Sequence, residues 1–233
     1  MIERILPTTV RASEEFGDPD PGVEDQLFAE ERRIVARAVD KRRREFASVR
    51  RCARAALSDL GAGHVPLLTG SRGEPLWPEG IVGSMTHCLG YRGAVVARIP
   101  DMPGPAPALG IDAEPDEQLP RGILERIALP AERERVRGLR ATGAIGTGPG
   151  HGQPHWDRLL FCAKEAVYKA WYPLAGRWLG FDEADIRLDP SGTLSVRLLV
   201  AGPSAGGGAV TGFAGRWTAG GGLVLAAVTR AEL

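Results

Sequence analysis

The sequence has few cysteines and no net charge, and these two absences exclude several classes of protein. Its 233 residues include three cysteines, Cys52, Cys88 and Cys162, which follow no metal-binding spacing. A sparse, odd set of cysteines indicates a reduced protein rather than a disulfide framework, so we expect a cytoplasmic location. Basic and acidic residues both total 29. This balance gives no reason to expect binding to bulk nucleic acid.

Long apolar runs are also missing from the chain. A membrane-spanning helix needs about 20 consecutive apolar residues, and no such run occurs. The first residues lack the basic start and apolar core of a signal peptide. We therefore expect no membrane association, and the length is sufficient for one large domain or two small lobes.

Helix and strand patterns both occur in each half of the chain and predict an α+β fold. Apolar residues recur every seven positions over 24–60, which predicts a helix with a break near Asp40. A second helix is predicted over 157–171, ended by Pro173, and a third over 130–140. Alternating apolar segments predict strands at 81–86, 93–99, 109–114, 186–188, 194–198, 213–218 and 223–229.

Proline and glycine divide the chain into two parts. They are concentrated at 100–107, which predicts a boundary between an N-terminal lobe, 1–108, and a C-terminal lobe, 109–233. Residues 1–22 are expected to form a strand or a loose arm. The Gly-rich segment 141–154 has no periodicity and is expected to be a loop.

Two acidic motifs indicate a cation site. In Gly-Ile-Asp-Ala-Glu at 110–114, strand alternation places Asp112 and Glu114 on one face. Adjacent carboxylates repel unless a cation lies between them, and Mg²⁺ is bound by carboxylate, phosphate and water oxygens. In Phe-Cys-Ala-Lys-Glu-Ala-Val-Tyr-Lys-Ala at 161–170, charged residues lie on an apolar helix, where they are costly unless paired or ligated. The alternatives are a solvated acid pair and a surface ion pair.

Basic residues upstream indicate an anion site. Arg42 shares a seven-residue stripe with Val35 and Val49, so its stem is expected to face the interior, where phosphate is a natural partner. Arg50, two turns further on, is expected to join it. The remaining arginines of the segment are expected to be solvated, namely Arg43, Arg44, Arg51 and Arg54. His87 follows a short strand and has either a structural role or a hydrogen bond to phosphate.

Taken together, these motifs resemble those of the Sfp-type 4′-phosphopantetheinyl transferases, in the branch that includes the enterobactin-synthesis enzyme. Residues 110–114 are similar to the family's G-I-D-x-E motif, and residues 161–170 to its F/W-S/C-x-K-E-A/S-x-x-K-A motif. Residues 73–78 and 83–87 look like further family segments. The resemblance extends from about Arg42 to Trp178.

The resemblance implies a fold of two similar α/β lobes related by a pseudo-two-fold axis, with the active site in the cleft between them. It implies coenzyme A as substrate and Mg²⁺ as cofactor. The implied reaction transfers the phosphopantetheine arm to a serine of acyl, aryl or peptidyl carrier-protein domains of fatty-acid, polyketide or nonribosomal peptide synthases. A monomer is the family-based expectation. The carrier is expected to face residues 121–140.

The resemblance also implies roles for individual residues. The Mg²⁺ ligands would be Asp112, Glu114 and Glu165. Lys169 and His87 would contact the pyrophosphate, with Lys164 close by. Arg42 and Arg50 would hold the 3′-phosphate, and Trp178 would line the path of the pantetheine arm. The adenine nucleotide would be bordered by Thr69, Arg72, Gly73, Glu74, Pro75 and Thr86.

One departure from the family pattern concerns the 3′-phosphate. Thr69 stands where some relatives have a lysine, so that contact is either missing or supplied by Arg72. For the attacking serine, Glu165 is the candidate base, directly or through a water, and a metal-bound water is the alternative.

Two other functions are alternatives to the transferase. A non-catalytic module that binds coenzyme A or a carrier is expected to lose one of the three acids, whereas all three are present. A metal-dependent nuclease is expected to carry Glu-x-Lys on a strand and a positive net charge, and this chain has neither at the site.

Overall fold

The computed structural model describes residues 1–102, 104, 107–143, 153–205 and 208–230. The α-helices are α1 (Ala29–Ile34), α2 (Asp40–Asp59), α3 (Ile123–Ile127), α4 (Pro130–Ala141) and α5 (Trp156–Ala175). The strands are β1 (Arg11–Phe16), β2 (Ile81–Cys88), β3 (Tyr91–Arg98), β4 (Leu109–Pro115), β5 (Ala184–Leu188), β6 (Thr193–Leu198), β7 (Ser204–Ala205), β8 (Gly208–Ala209), β9 (Gly212–Gly220) and β10 (Leu223–Arg230). Short 3₁₀ helices cover Ile2–Ile5, Val23–Gln26, Ile99–Asp101 and Phe181–Glu183.

The N-terminal lobe is an antiparallel sheet of three strands, in the order β1-β3-β2, covered by α2. Ala53 and Leu57 of α2 are fully buried in one cluster with Ala94 and Val96 of β3. Burial of this apolar helix face against the sheet fixes the direction of α2. Arg42, in the first turn of α2, then lies beside His87 near the end of β2.

The C-terminal lobe is an antiparallel sheet of five strands, in the order β4-β10-β9-β6-β5. Helix α5 packs on β4 and β10, with Trp156 and Trp171 fully buried. A Cβ atom on Gly110 would lie 2.0 Å from the carbonyl oxygen of Ala166, so only glycine permits this approach of β4 to α5. This contact places the acidic strand directly beside the Lys-Glu helix.

The two lobes meet where β2 contacts β4. Ser84 Oγ accepts a hydrogen bond from the Ile111 amide at 3.0 Å, and apolar residues from both sheets share one core with Ile2 and Ile5. The architecture is therefore a two-lobed α+β fold, as predicted. Each lobe has a long helix on an antiparallel sheet, although one sheet has three strands and the other five.

Two local predictions need correction, and one is confirmed. The break near Asp40 is confirmed, because the chain is irregular between α1 and α2. This break also shifts the helical phase, so Val39 is 72% exposed and the Arg42 side chain is half exposed rather than buried. Helix α5 does not end at Pro173, which lies in its last turn; Gly176, with φ of 62°, ends it.

Some predictions fall on parts of the chain that lie outside the described residues. These parts are 144–152 of the Gly-rich segment, and positions 103, 105 and 106 of the predicted boundary. The segment 1–22 contains β1, which pairs with β3. None of the helices in the described ranges is long and apolar enough to cross a bilayer.

Candidate active site

A cleft of about 330 Å³ lies between the two lobes. Helix α2, the loop before β2 and strand β2 form its N-terminal wall, and β4 and α5 form the opposite wall. Twelve of the predicted residues line it: Arg42, Arg50, Thr69, Arg72, Gly73, Glu74, Pro75, Thr86, His87, Asp112, Glu165 and Lys169. Residues more than 100 positions apart are thus brought to one cavity.

Lys164 is one of the predicted residues that the fold does not bring to the cleft. Its Nζ atom lies 2.8 Å from Glu132 Oε2 and donates to the Ala184 carbonyl at 2.9 Å. Burial lowers the pKa of Lys164, while Glu132 raises it. The ammonium therefore ties α4 and the start of β5 to α5, and Lys164 does not line the cleft.

Asp112 is the buried acid at the centre of the C-terminal wall. Its Oδ1 atom accepts from Thr86 Oγ1 at 2.9 Å and from Lys169 Nζ at 2.7 Å. Its Oδ2 atom is buried and has no hydrogen-bond partner among the described residues. A buried carboxylate oxygen without a partner is costly, so this atom is available to a ligand.

Glu165 and Glu114 flank Asp112 and share its electrostatic environment. Burial first, and then the negative charge of Asp112, raises the pKa of both carboxyls. Glu165 makes no hydrogen bond or ion pair with the described residues, whereas Glu114 Oε2 accepts from Arg158 at 3.0 Å. Glu114 lines a neighbouring groove rather than the cleft itself.

Arg158 is a site residue that the sequence reasoning missed. It lies in the first turn of α5, seven positions before Glu165, and two helical turns place both on one face. That spacing was the available signal. By pairing with Glu114, Arg158 offsets part of the negative charge at this wall.

The three acids lie near one another without forming a closed metal site among the described residues. The described part of the chain holds no group of three His, Cys, Asp or Glu side chains already close enough to bind a metal ion. The residues present nevertheless fit a divalent cation, because Asp112 Oδ2 is buried and unpartnered and two carboxyls beside it carry raised pKa values. A bound cation would give the Asp112 Oδ2 atom a partner and would offset the negative charge of the two buried glutamates.

Arg50 is held in the N-terminal wall by a buried acid, Glu31. Arg50 Nε donates to the Leu67 carbonyl at 2.8 Å and lies 3.8 Å from Glu31 Oε1. Burial lowers the pKa of Arg50 to about 10. Arg54, expected to be solvated, is instead buried and donates to Glu31 Oε1 at 2.9 Å, because the side chain of Glu31 on α1 reaches α2.

Arg42 and His87 form a pair at the junction of the two walls. Arg42 Nη1 lies 2.8 Å from His87 Nε2, and Glu45 Oε2 lies 3.9 Å from His87 Nδ1. Burial lowers the pKa of His87, although Glu45 raises it. A neutral His87 then accepts from Arg42 at Nε2 and keeps its proton on Nδ1, facing Glu45.

The loop 69–75 completes the N-terminal wall as a tight turn. The Gly70 amide donates to the Glu74 carbonyl at 2.8 Å, and the Arg72 amide donates to Glu74 Oε2 at 2.9 Å. A Cβ atom on Gly70 would lie 1.9 Å from Glu74 Oε1, so a side chain there would displace the Glu74 carboxylate from the Arg72 amide. The side chain of Arg72 extends from the turn, and it has no acidic partner among the described residues.

Aromatic side chains extend the site beyond Glu165. Tyr168 and Tyr172 line the cleft, and the rings of Tyr168 and Trp178 are 4.6 Å apart. Trp178 is 65% exposed and lines a smaller pocket that shares Glu165 and Tyr168 with the cleft. The site therefore combines a cationic end, an acidic centre and an aromatic extension, which suits a long phosphorylated ligand.

Two protein families match this chain over the lobes that build the site. The family described as "4'-phosphopantetheinyl transferase N-terminal domain" matches residues 30–97. The family described as "4'-phosphopantetheinyl transferase superfamily" matches residues 108–219.

Three curated proteins are similar over nearly the whole chain. 4'-Phosphopantetheinyl transferase Svp of Streptomyces mobaraensis is 53% identical, over 98% of this chain and 88% of that protein. 4'-Phosphopantetheinyl transferase PptT of Mycobacterium tuberculosis is 44% identical, over 98% of this chain and 97% of its own length. 4'-Phosphopantetheinyl transferase Npt of Nocardia iowensis is 43% identical, over 99% of this chain and 100% of that protein.

Proposed function

This chain belongs to the 4′-phosphopantetheinyl transferase superfamily and is a 4′-phosphopantetheinyl transferase, and we propose that the cleft described above is where it binds coenzyme A and transfers the arm. One observation carries the proposal. A single cavity joins Arg42, Arg50 and Arg72 at one end to Asp112 and Lys169 at the other.

We assign the cationic end to the 3′-phosphate and the centre to the pyrophosphate. Arg50 is fixed by buried partners, so little side-chain freedom is lost when it binds an anion. Arg42 is half exposed and can add a second contact. Lys169 and His87 then face the pyrophosphate, and the pantetheine arm follows Tyr168 to Trp178.

Mg²⁺ would be held by Asp112, Glu114 and Glu165. When bound, it supplies positive charge that neutralises the pyrophosphate oxygens and the leaving group. Support for this assignment is the unpartnered Oδ2 of Asp112 and the raised pKa values of both glutamates. Arg158 and Lys169 hold two of these acids in place.

The transfer step uses the acids and Lys169 of this wall. The serine hydroxyl of the carrier attacks the β-phosphorus of coenzyme A, and its proton passes to Glu165. The bond from that phosphorus to the bridging oxygen breaks, and adenosine 3′,5′-bisphosphate leaves. Lys169 offsets charge on the departing phosphate, and the neutral His87 ring lies beside it without adding charge.

The protein partners in this proposal are acyl, aryl or peptidyl carrier domains of fatty-acid, polyketide or nonribosomal peptide synthases. We propose that the enzyme acts on them in the cytoplasm, as a monomer. The cysteines support a reducing location, because all three are free and Cys52 and Cys162 are buried.

Mass spectrometry of an apo carrier protein, incubated with coenzyme A, Mg²⁺ and this protein, tests the proposal. We expect the carrier to gain one phosphopantetheine group, and the gain to vanish with EDTA. Glu165→Gln should abolish transfer with the fold intact, whereas Glu134→Gln, an exposed acid on α4, should not. Near-normal turnover of Glu165→Gln would remove the base assignment, and no gain on any carrier would favour a non-catalytic binding module.

A further inference from the structure

Three openings meet at the acidic centre of the site. The first is the cleft itself, and the second is the small pocket of Trp178, which joins the cleft at Glu165 and Tyr168. The third is a groove of about 810 Å³, which we call the α2 groove. It is lined by Lys41, Arg44, Leu89 and Glu114, among others, and it shares His87 with the cleft.

The proposed function fills only two of these openings. The nucleotide occupies the cleft and the pantetheine arm follows the Trp178 pocket, so the acceptor hydroxyl must reach the β-phosphorus by another route. The α2 groove supplies that route, because His87 and Glu114 lie at its inner end. This inference rests on the proposed function, since it needs the phosphorus at that position.

We propose that the α2 groove is the docking surface for the carrier domain, and that Lys41 and Arg44 bind acidic side chains next to the carrier serine. Lys41 and Arg44 are three positions apart in the first turns of α2, which places both on one face of the helix. A segment with acidic residues at similar spacing would match them.

The charges on α2 support an acidic partner. Helix α2 carries seven basic residues, and five have a carboxylate or carbonyl partner within the chain; these five are Arg42, Arg43, Arg50, Arg51 and Arg54. Lys41 and Arg44 have no side-chain partner among the described residues, and they are the two that line the groove. Cations left without internal partners are available to an external anion.

The acidic residues that line the α2 groove do not neutralise Lys41 and Arg44. Glu114 is bound by Arg158, and Glu45 lies 3.8 Å from Arg42 and 3.9 Å from His87. Asp18, on the opposite rim, is the remaining acid that lines the groove. Arg92 adds a buried cation that donates to the Gly17 carbonyl.

An exposed apolar residue completes the α2 groove. Leu89 forms the turn between β2 and β3 and is 75% exposed. A leucine at this position, beside unpaired cations, offers apolar contact to a helix that carries both acidic and apolar residues. The surface therefore fits an amphipathic acidic helix followed or preceded by the serine.

Steady-state kinetics of the double variant Lys41→Glu/Arg44→Glu test the docking surface. At saturating coenzyme A, we expect KM for an acidic carrier to rise at least about tenfold, since two attractive contacts become repulsive. KM for coenzyme A should stay within about twofold. Arg33→Glu/Arg37→Glu, two exposed changes before α2 and outside the groove, is the charge-matched control and should leave both values near wild type.

A variant on the other candidate surface, and a carrier with reversed charges, test whether the carrier docks in the α2 groove. Arg126→Glu tests the alternative surface at 121–140, and we expect no effect on carrier KM. Reversing the acids beside the carrier serine to lysine should restore transfer by Lys41→Glu/Arg44→Glu. An unchanged carrier KM in that double variant, or a rise for Arg126→Glu alone, would overturn the docking surface. Absence of transfer by the wild type would instead overturn the proposed function.

Discussion

The two walls of the cleft each contain a buried carboxylate, and the two carboxylates differ in how completely they are hydrogen-bonded. Glu31, behind the N-terminal wall, is fully buried and accepts from the Leu67 amide at 2.8 Å, the Phe28 amide at 2.9 Å and Arg54. Asp112, in the C-terminal wall, has two donors on Oδ1 and none on Oδ2.

This difference separates an acid that holds the fold from one that awaits a ligand. A buried carboxylate whose oxygens are all paired recovers its desolvation cost within the protein. One with an unpartnered oxygen does not, and its cost is relieved only by something that binds. The N-terminal wall is therefore complete before the substrate arrives, and the C-terminal wall is completed by it.

Glu31→Gln is expected to give the largest effect, on stability. The neutral amide leaves Arg50 and Arg54 buried without an anionic partner, and breaking such a pair costs about 3–5 kcal/mol. Urea unfolding should show a lower midpoint with a similar slope. Glu30→Gln, an exposed change next to it on α1, is the control. Equal stability of the two variants would show that Glu31 is not structural.

Asp112→Asn is expected to reverse the pattern, with a loss of activity and no loss of stability. We expect turnover to fall by about 10²–10³-fold, the loss that follows removal of one preorganised oxyanion-hole donor. The amide also removes an incompletely paired buried charge, and Lys169, which loses its anionic partner, is 28% exposed and can be hydrated, so unfolding should occur at the same urea concentration or a higher one. Asp59→Asn, on the exposed end of α2, is the control for both measurements. A clear fall in stability would make Asp112 structural as well.

The sequence predicted the C-terminal wall better than the N-terminal wall. Alternation on a strand and spacing on a helix are local, so Asp112, Glu165 and Lys169 could be placed on faces before the fold was known. Their convergence depends on Gly110, whose missing Cβ lets β4 approach α5. That glycine was visible within the acidic motif.

The N-terminal wall depends on contacts between distant segments, which spacing does not show. Arg42 was placed inside because the seven-residue stripe was continued across a break, and the phase changed there. Arg54 was placed outside because nothing local indicated that Glu31 would fold back onto it. The C-terminal lobe has one such case, because Lys164 of α5 has the spacing of a site residue but forms an ion pair with Glu132 of α4.

The C-terminal wall should also give a pH-dependent stability that depends on Glu165. Burial raises the pKa of this carboxyl above its usual 4.5, so the folded state favours the protonated form. The stability that it contributes is present below pH 4.5 and is lost as pH rises through the raised pKa. Metal-free Glu165→Gln should therefore be more stable than wild type at neutral pH, with no difference at pH 4. Urea midpoints across this range provide the measurement, and a gap that persists at pH 4 would contradict it.

The smallest expected effect comes from adding a cation to the wall that is already complete. Thr69→Lys places an ammonium on the loop beside Arg50, where its attraction to the 3′-phosphate is screened by solvent and worth about 1 kcal/mol. KM for coenzyme A should fall several-fold, and KM for 3′-dephospho-coenzyme A should not change. Thr142→Lys, at the exposed end of α4, controls for the added charge. An equal fall in KM for both substrates would show that the 3′-phosphate does not lie beside Arg50. The assignment of the 3′-phosphate to the cationic end and of the pyrophosphate to the acidic centre would then be wrong.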